Sequence, residues 1–280
     1  MKKPLHWFIT GISSGLGRAL ADAALNRGDR VTGTVRAAAA RTAFLAAHPQ
    51  RATVPLLDVT DESAVRAVVA AAEAETGPID ILVNNAGYGL IAGVEEASLS
   101  EIRAQFEVNV FGAVAVMQAV LPFMRHRRAG RIINISSISG LVGWAALGIY
   151  SGSKFALEGI VETLAQEVAP LGIHVTLIEP GGFRTDFAGR SRAESERQIA
   201  DYEPSVGANR RILTQHAGHE PGDPAKAALA ILKVADSELP PLRLMLGTDA
   251  LGYARRKFDQ YAAETKTWDA VSRSTDFAAG

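Results

Sequence analysis

The chain contains no cysteine. That absence excludes disulfides, thiolate nucleophiles, Cys-ligated zinc and iron–sulfur clusters, and it suits a reducing compartment, so the cytoplasm is the expected location. An excess of one charge is lacking too, with 29 Lys plus Arg against 30 Asp plus Glu and a formal net charge of -1. With no field to gather polyanions, neither nucleic acid nor a membrane surface is an expected partner. The best apolar stretch is interrupted by Asn109, Gln118 and Pro122, short of the about 18 apolar residues read as a membrane span. The run Leu5 to Ile9 behind Met1-Lys2-Lys3 is too short for a signal peptide.

What is present is an ordinary globular composition: 280 residues, 48% hydrophobic and 21% charged. Short apolar runs at Trp7 to Thr10, Arg30 to Val35, Thr53 to Leu57, Ile79 to Asn84, Arg131 to Ser136, His174 to Glu179 and Leu242 to Leu246 read as strands. Helical patterns at 16–27, 38–47, 61–75, 99–126, 150–169 and 223–236 separate most of them. This rhythm predicts one α/β domain, a doubly wound parallel sheet of about seven strands in the order 3-2-1-4-5-6-7. The expected organisation is a catalytic domain over 1–250 and a C-terminal extension over 251–280. Residues 183–222 show no clear strand and read as a lid. An amphipathic helix is expected from 248 to 265, then a polar tail from Trp268.

Four polar or glycine-rich clusters fall at the C-terminal ends of neighbouring strands in that order, the edge where open α/β sheets bind ligands. Thr10-Gly11-Ile12-Ser13-Ser14-Gly15-Leu16-Gly17 follows the first strand and opens a helix, the context in which backbone N–H groups and a helix N-terminus cradle a pyrophosphate. Asn84-Asn85-Ala86-Gly87 ends the fourth strand, Ser136-Ser137 the fifth and Pro180-Gly181-Gly182 the sixth. Each cluster taken singly has an ordinary turn explanation; their shared edge favours a site. Tyr150 and Lys154 lie one turn apart on the same helix face near that edge. An ammonium beside a phenol lowers the phenol's pKa, as a general acid/base needs, although most such pairs are simply solvated. Asn109 falls among apolar residues, where an amide must find hydrogen-bond partners; a structural and a catalytic role both fit.

Together these residues resemble the classical short-chain dehydrogenases/reductases. The resemblance covers roughly residues 5–250 and rests on the glycine motif from Thr10 to Gly17, Asn84 to Gly87, Asn109, Ser137, Tyr150-x-x-x-Lys154, and Pro180-Gly181 followed by Thr185. It implies an oxidoreductase in which Tyr150 moves the proton and Ser137 binds the substrate oxygen. Lys154 would hold the nicotinamide ribose and lower the Tyr150 pKa, and Asn109 would hold a relay water. The implied cofactor contacts are Thr10, Gly11, Ser13, Ser14, Gly15, Leu16 and Gly17, with Asp58 and Val59 at the adenine. Asn85, Ala86 and Gly87 would meet the adenosine ribose region, and Pro180, Gly181 and Thr185 the nicotinamide end. A homodimer or homotetramer through the helices around Tyr150 and Asn109 is implied as well.

Val35 stands where an NAD-type site of this family carries a carboxylate for the ribose diol, and Arg36 can pair with a 2′-phosphate. NADP(H) is therefore the expected cofactor, with NAD(H) possible. Leu141, Val142, Trp144, Leu147 and Ile149, with Tyr88, Leu90, Phe183 and Phe187, suggest an apolar pocket for a lipophilic ketone or aldehyde and its alcohol. His216 and His219 lack the further ligands a metal needs, so no metal is expected. The alternative reading is a nucleotide sensor that kept the fold and lost catalysis.

Overall fold

The computed structural model describes residues 3–185 and 192–277. Strands β1 (His6–Ile9), β2 (Arg30–Gly33), β3 (Ala52–Thr53), β4 (Ile81–Asn84), β6 (Gly130–Ile135), β7 (Ile173–Pro180) and β9 (Arg243–Leu246) form one sheet in the order β3-β2-β1-β4-β6-β7-β9. Every pairing in it is parallel. This is the single-domain doubly wound sheet the alternation predicts, a Rossmann fold.

Both faces of the sheet are apolar because alternate residues of each strand point opposite ways. Trp7, Ile9, Val31, Ile81, Val83 and Ile133 meet α1 (Gly15–Asn26), α2 (Ala38–Ala47) and α8 (Pro224–Asp236) through Leu16, Leu20, Phe44 and Ile231. Phe8, Leu82, Ile132 and Leu177 face the other way, against Val65 and Val69 of α3 (Glu62–Ala71), Val116, Val120 and Met124 of α5 (Ala113–Arg127), and Leu157 and Val161 of α6 (Gly148–Val168). Each such large apolar side chain contributes roughly 1.5–3 kcal/mol by leaving water.

Strand β3 is shorter than expected because Pro55 has no N–H to donate; the pairing resumes as a single bridge between Val35 and Leu56. The long helix after β4 runs from α4 (Leu99–Phe106) into α5 through a π-helical stretch, Glu107–Gly112. By length and hydropathy, Leu99–Arg127 would suffice to cross a bilayer; here Val116, Val120 and Met124 pack it on the sheet.

Two corrections concern the later chain. The lid does contain a strand: β8 (Arg192–Glu194) pairs in parallel with β5 (Gly89–Ile91), and α7 (Ala208–His216) follows. Arg-Ala-Glu carries no apolar signal, which is why the pattern missed it. The last helix, α9 (Thr248–Arg273), runs well past 265 and takes in Trp268.

Candidate active site

The end of β1 and the end of β4 are stitched together by their own polar groups. The Thr10 hydroxyl accepts from the N–H groups of Asn85 and Ala86, both at 3.0 Å, while Asn85 Nδ2 donates to the carbonyls of Thr10 (2.9 Å) and Gly11 (2.8 Å). Glycine is required where this seam is tightest. A Cβ on Gly17 would lie 2.3 Å from Asn85 Nδ2 and 2.5 Å from the Gly11 carbonyl oxygen, and Gly11 itself has φ +72° with Ala86 Cα 3.0 Å from its Cβ position. On Gly15 the same atom would meet Thr185 at 3.3 Å, so the loop after β7 closes over the glycine turn. The Ser14 side chain makes no cap bond at the start of α1. A narrow, backbone-lined cradle at a helix N-terminus fits a dinucleotide pyrophosphate.

Other expected cofactor contacts are less uniform. Asp58 is exposed, and its Oδ1 accepts from the Thr60 N–H and hydroxyl. Val59 turns its side chain into the core against Gly112, leaving its main chain to a ligand. Arg36 is exposed at the rim, close enough to Tyr88 to oppose the upward pull of burial and Glu101 on that phenol's pKa. Pro180 ends β7, and the turn after it is held by a group the sequence did not flag: Asp249 at the start of α9 accepts from the Gly182 N–H at 2.7 Å. Its oxygens lie 2.4 Å from the Cβ position of Gly181. Nothing in a lone Asp after a Gly-Thr turn signals that contact.

The Tyr150 end of the site is assembled from three elements. Ser137 follows β6 and caps a short 3-10 turn, its hydroxyl accepting from the Ser139 N–H at 3.0 Å. Ala146, at φ +63° in the left-handed region, turns the chain into α6 and is held there by the Ala92 N–H at 2.9 Å. Such a conformation costs a non-glycine residue about 1 kcal/mol or more, and it sits four residues before Tyr150. Tyr150 is 6% exposed and hydrogen-bonds with Ser137. Lys154 Nζ donates to the Ile135 carbonyl at 2.8 Å and lies 5.9 Å from the centre of the Tyr150 ring.

Burial dominates the electrostatics. It pushes the Tyr150 phenol up to about 12, against the smaller lowering effect of Ser137. It pushes the Lys154 ammonium down to about 8, with Glu158 opposing. The spacing argument led to a lowered Tyr150; the structure corrects it, because the low-dielectric wall around the ring outweighs an ammonium that is partly occupied by a carbonyl. Behind Lys154 lies a second buried group. Glu179 is pushed up to about 7 by burial and by Glu158, and Arg243 reaches both, with Nε 3.0 Å from Glu158 Oε2 and 3.3 Å from Glu179 Oε1.

Asn109 projects from the π-helical stretch. Its Oδ1 accepts from the Tyr88 N–H at 3.1 Å, and Nδ2 donates to the Tyr88 carbonyl (3.0 Å) and to Ser153 Oγ (3.1 Å). Ser153 in turn donates to the Tyr150 carbonyl at 2.7 Å. Both amide protons are thus spent on protein, so this side chain ties the β4 exit to the Tyr150 turn of α6. Ser153 was not singled out from the sequence, since a serine inside a helix usually points at solvent or its own backbone.

Around the ring, Ile91, Leu147 and Val206 are buried, with Trp144, Tyr202 and Leu213 against them. Leu141, Val142 and Trp144 also pack on α9. Phe183 does not overhang the crevice: it bridges to Gly222, whose missing Cβ would sit 2.5 Å from its ring, and packs on the core. Phe187 lies outside the described residues.

Comparison with known proteins agrees with this geometry. The family model for short chain dehydrogenase matches residues 6–196. The chain is 40% identical over 267 residues to oxidoreductase BOA17 of Botryotinia fuckeliana, covering 95% of this chain and 97% of that protein. It is 38% identical to 3-ketodihydrosphingosine reductase of Bacteroides thetaiotaomicron, covering 88% of each. Among solved structures, a short-chain dehydrogenase from Streptomyces avermitilis superposes with a TM-score of 0.92 at 44% identity, covering 99% of this chain and 100% of that one. A short-chain dehydrogenase/reductase from Burkholderia phymatum in complex with NAD gives 0.82 at 26%, covering 93% and 95%. The chain belongs to the classical short-chain dehydrogenase/reductase family. It is an oxidoreductase acting with a nicotinamide cofactor.

Proposed function

We propose that this oxidoreductase interconverts a lipophilic ketone or aldehyde and its alcohol, with NADP(H) preferred. The observation that carries the reading is the arrangement of half-buried Ser137 with buried Tyr150 and Lys154 beside an apolar wall. When bound, the nicotinamide supplies or accepts the hydride. The chain supplies the proton. Burial keeps the proton on the Tyr150 phenol at neutral pH, the form needed to donate to a carbonyl oxygen as it gains charge. Ser137 orients the same oxygen through its hydroxyl. Lys154, cationic at neutral pH, sits behind the ring and favours the phenolate left once the proton has moved.

Asn109 and Ser153 fix the Tyr150 turn, so the phenol needs little reorganisation. Arg36 offers a guanidinium for a 2′-phosphate where an NAD-selective site would place a carboxylate. Ile91, Leu147, Val206 and Trp144 would receive an aliphatic or aromatic substituent. The relative from Bacteroides thetaiotaomicron is by its name a 3-ketodihydrosphingosine reductase, which supports a ketone as the substrate class.

The test is oxidation of NADPH and of NADH by the purified protein across ketones and aldehydes of increasing apolar size. Turnover that favours NADPH and rises with apolar size supports the proposal. Turnover confined to NADH or to charged substrates, or NADPH binding with no turnover on any carbonyl, would overturn it.

A further inference from the structure

Two buried carboxyls stand behind Lys154. Glu158 lies one turn further along α6, so it shares a helix face with Lys154, and Glu179 comes from the end of β7. Glu158 is 4% exposed and Glu179 not at all. Arg243 of β9 holds both. Its Nε donates to Glu158 Oε2 at 3.0 Å and lies 3.3 Å from Glu179 Oε1, while Nη2 donates to the exposed Glu162 at 2.7 Å. The loop after β6 closes the cluster: the Cβ position of Gly140 is 2.9 Å from Ser136 Oγ and 3.2 Å from Glu158 Oε1. The neighbouring Ile135 carbonyl takes the Lys154 ammonium.

Donors run short in this cluster. Among the described residues, Glu158 Oε1 and both oxygens of Glu179 receive no hydrogen bond. Two like charges in one dry site also repel, and the usual resolution is that one carboxyl keeps its proton. A proton on Glu179 answers both problems, because Glu158 lies within its hydrogen-bond reach and has a free oxygen to offer. Glu158, which accepts from Arg243, is then the ionised member of the pair. The charges balance, with Lys154 and Arg243 matched by Glu158 and Glu162. The titratable groups that face the ammonium are Tyr150 and Glu158 on α6, with Glu179 of β7 and Arg243 of β9 behind Glu158. Burial works to neutralise Lys154, and the Glu158 carboxylate is the charge that opposes it.

We propose that Glu158 is a positioning residue for the reaction: its carboxylate, held by Arg243 and bridged by one proton to Glu179, is the counter-charge that keeps Lys154 an ammonium behind the Tyr150 ring. The role rests on Lys154 serving as the cation that favours the phenolate.

The test reads Lys154 with no substrate present. Lysine side-chain carbon NMR across pH 5–10, with the Lys154 signal identified by its loss in Lys154→Met, gives the titration midpoint. Glu158→Gln should lower that midpoint by about one pH unit, a tenfold weaker hold on the proton. Glu158→Asp, which keeps the charge, and Glu179→Gln, whose amide replaces the protonated carboxyl, should leave it within about 0.3 unit. The alkaline limb of kcat/KM for carbonyl reduction by NADPH should move with the midpoint, a shift that a merely structural role would not produce. An infrared band of protonated carboxyl should persist in the parent at pH 6, above the ordinary carboxyl range, and disappear in Glu179→Gln. That measurement stands even if Glu158→Gln does not fold. An unmoved midpoint in Glu158→Gln, an equal fall in Glu179→Gln, an alkaline limb that ignores the midpoint, or no such band in the parent would overturn the proposal. A lowered midpoint in a protein that reduces no carbonyl would support the counter-charge and strike only the reading of the substrate.

Discussion

The buried ammonium of Lys154 works against stability. Its ammonium is held at about 8 rather than 10.5 by burial. The folded protein thus binds this proton less readily than the unfolded chain, and the cost is fully present below pH 8 and relieved as pH rises toward 10.5. At about 1.36 kcal/mol per pH unit, that gap gives a cost of about 3 kcal/mol at pH 7 and about 1 kcal/mol at pH 9.5. Lys154→Met removes the charge and keeps much of the volume, while leaving the Ile135 carbonyl without its 2.8 Å donor at a cost of about 1–3 kcal/mol. The variant should therefore match the parent or exceed it by up to about 2 kcal/mol at pH 7. The assay is urea unfolding of both proteins across pH 7–9.5, followed by far-UV circular dichroism. The parent should gain about 2 kcal/mol on the variant over that range. A stability difference that stays flat with pH would refute a buried, proton-binding Lys154.

Three further outcomes follow from the geometry. Asn109→Ala strands the Tyr88 N–H, leaves the Tyr88 carbonyl to Gln105 alone and unties Ser153, so thermal unfolding should show a loss of about 1–3 kcal/mol, with Ser153→Ala losing about 1 kcal/mol. Gly17→Ala drives a methyl into Asn85 and the Gly11 carbonyl, so calorimetry should find NADPH affinity down at least a hundredfold. Arg36→Gln should raise the KM for NADPH about tenfold or more in steady-state assays and leave that for NADH within twofold.

The sheet order and both helix layers were legible because near-continuous apolar strands, buried on both faces, and 3.6-period helices state their own burial, as Trp7, Phe8 and Ile9 do. The cluster of Ser137, Tyr150 and Lys154 was legible because strand ends and one helix turn fix where those side chains emerge. Burial was not. No spacing reveals that Ile91 and Val206, from two distant segments, join Leu147 around Tyr150 and raise its pKa. The π-helical stretch that aims Asn109 is a hydrogen-bond shift with no composition of its own. Strand β8 and the Asp249 contact depend on tertiary neighbours, so Arg192 to Glu194 read as a solvated loop.

The account stands on Tyr150 as the proton donor. The measurement that tests this most directly is single-turnover carbonyl reduction by NADPH in the parent and in Tyr150→Phe, with NADPH affinity measured in parallel by fluorescence. The account predicts a rate at least a hundredfold lower with affinity changed by less than threefold. A Tyr150→Phe protein that reduces the carbonyl within tenfold of the parent rate would contradict it.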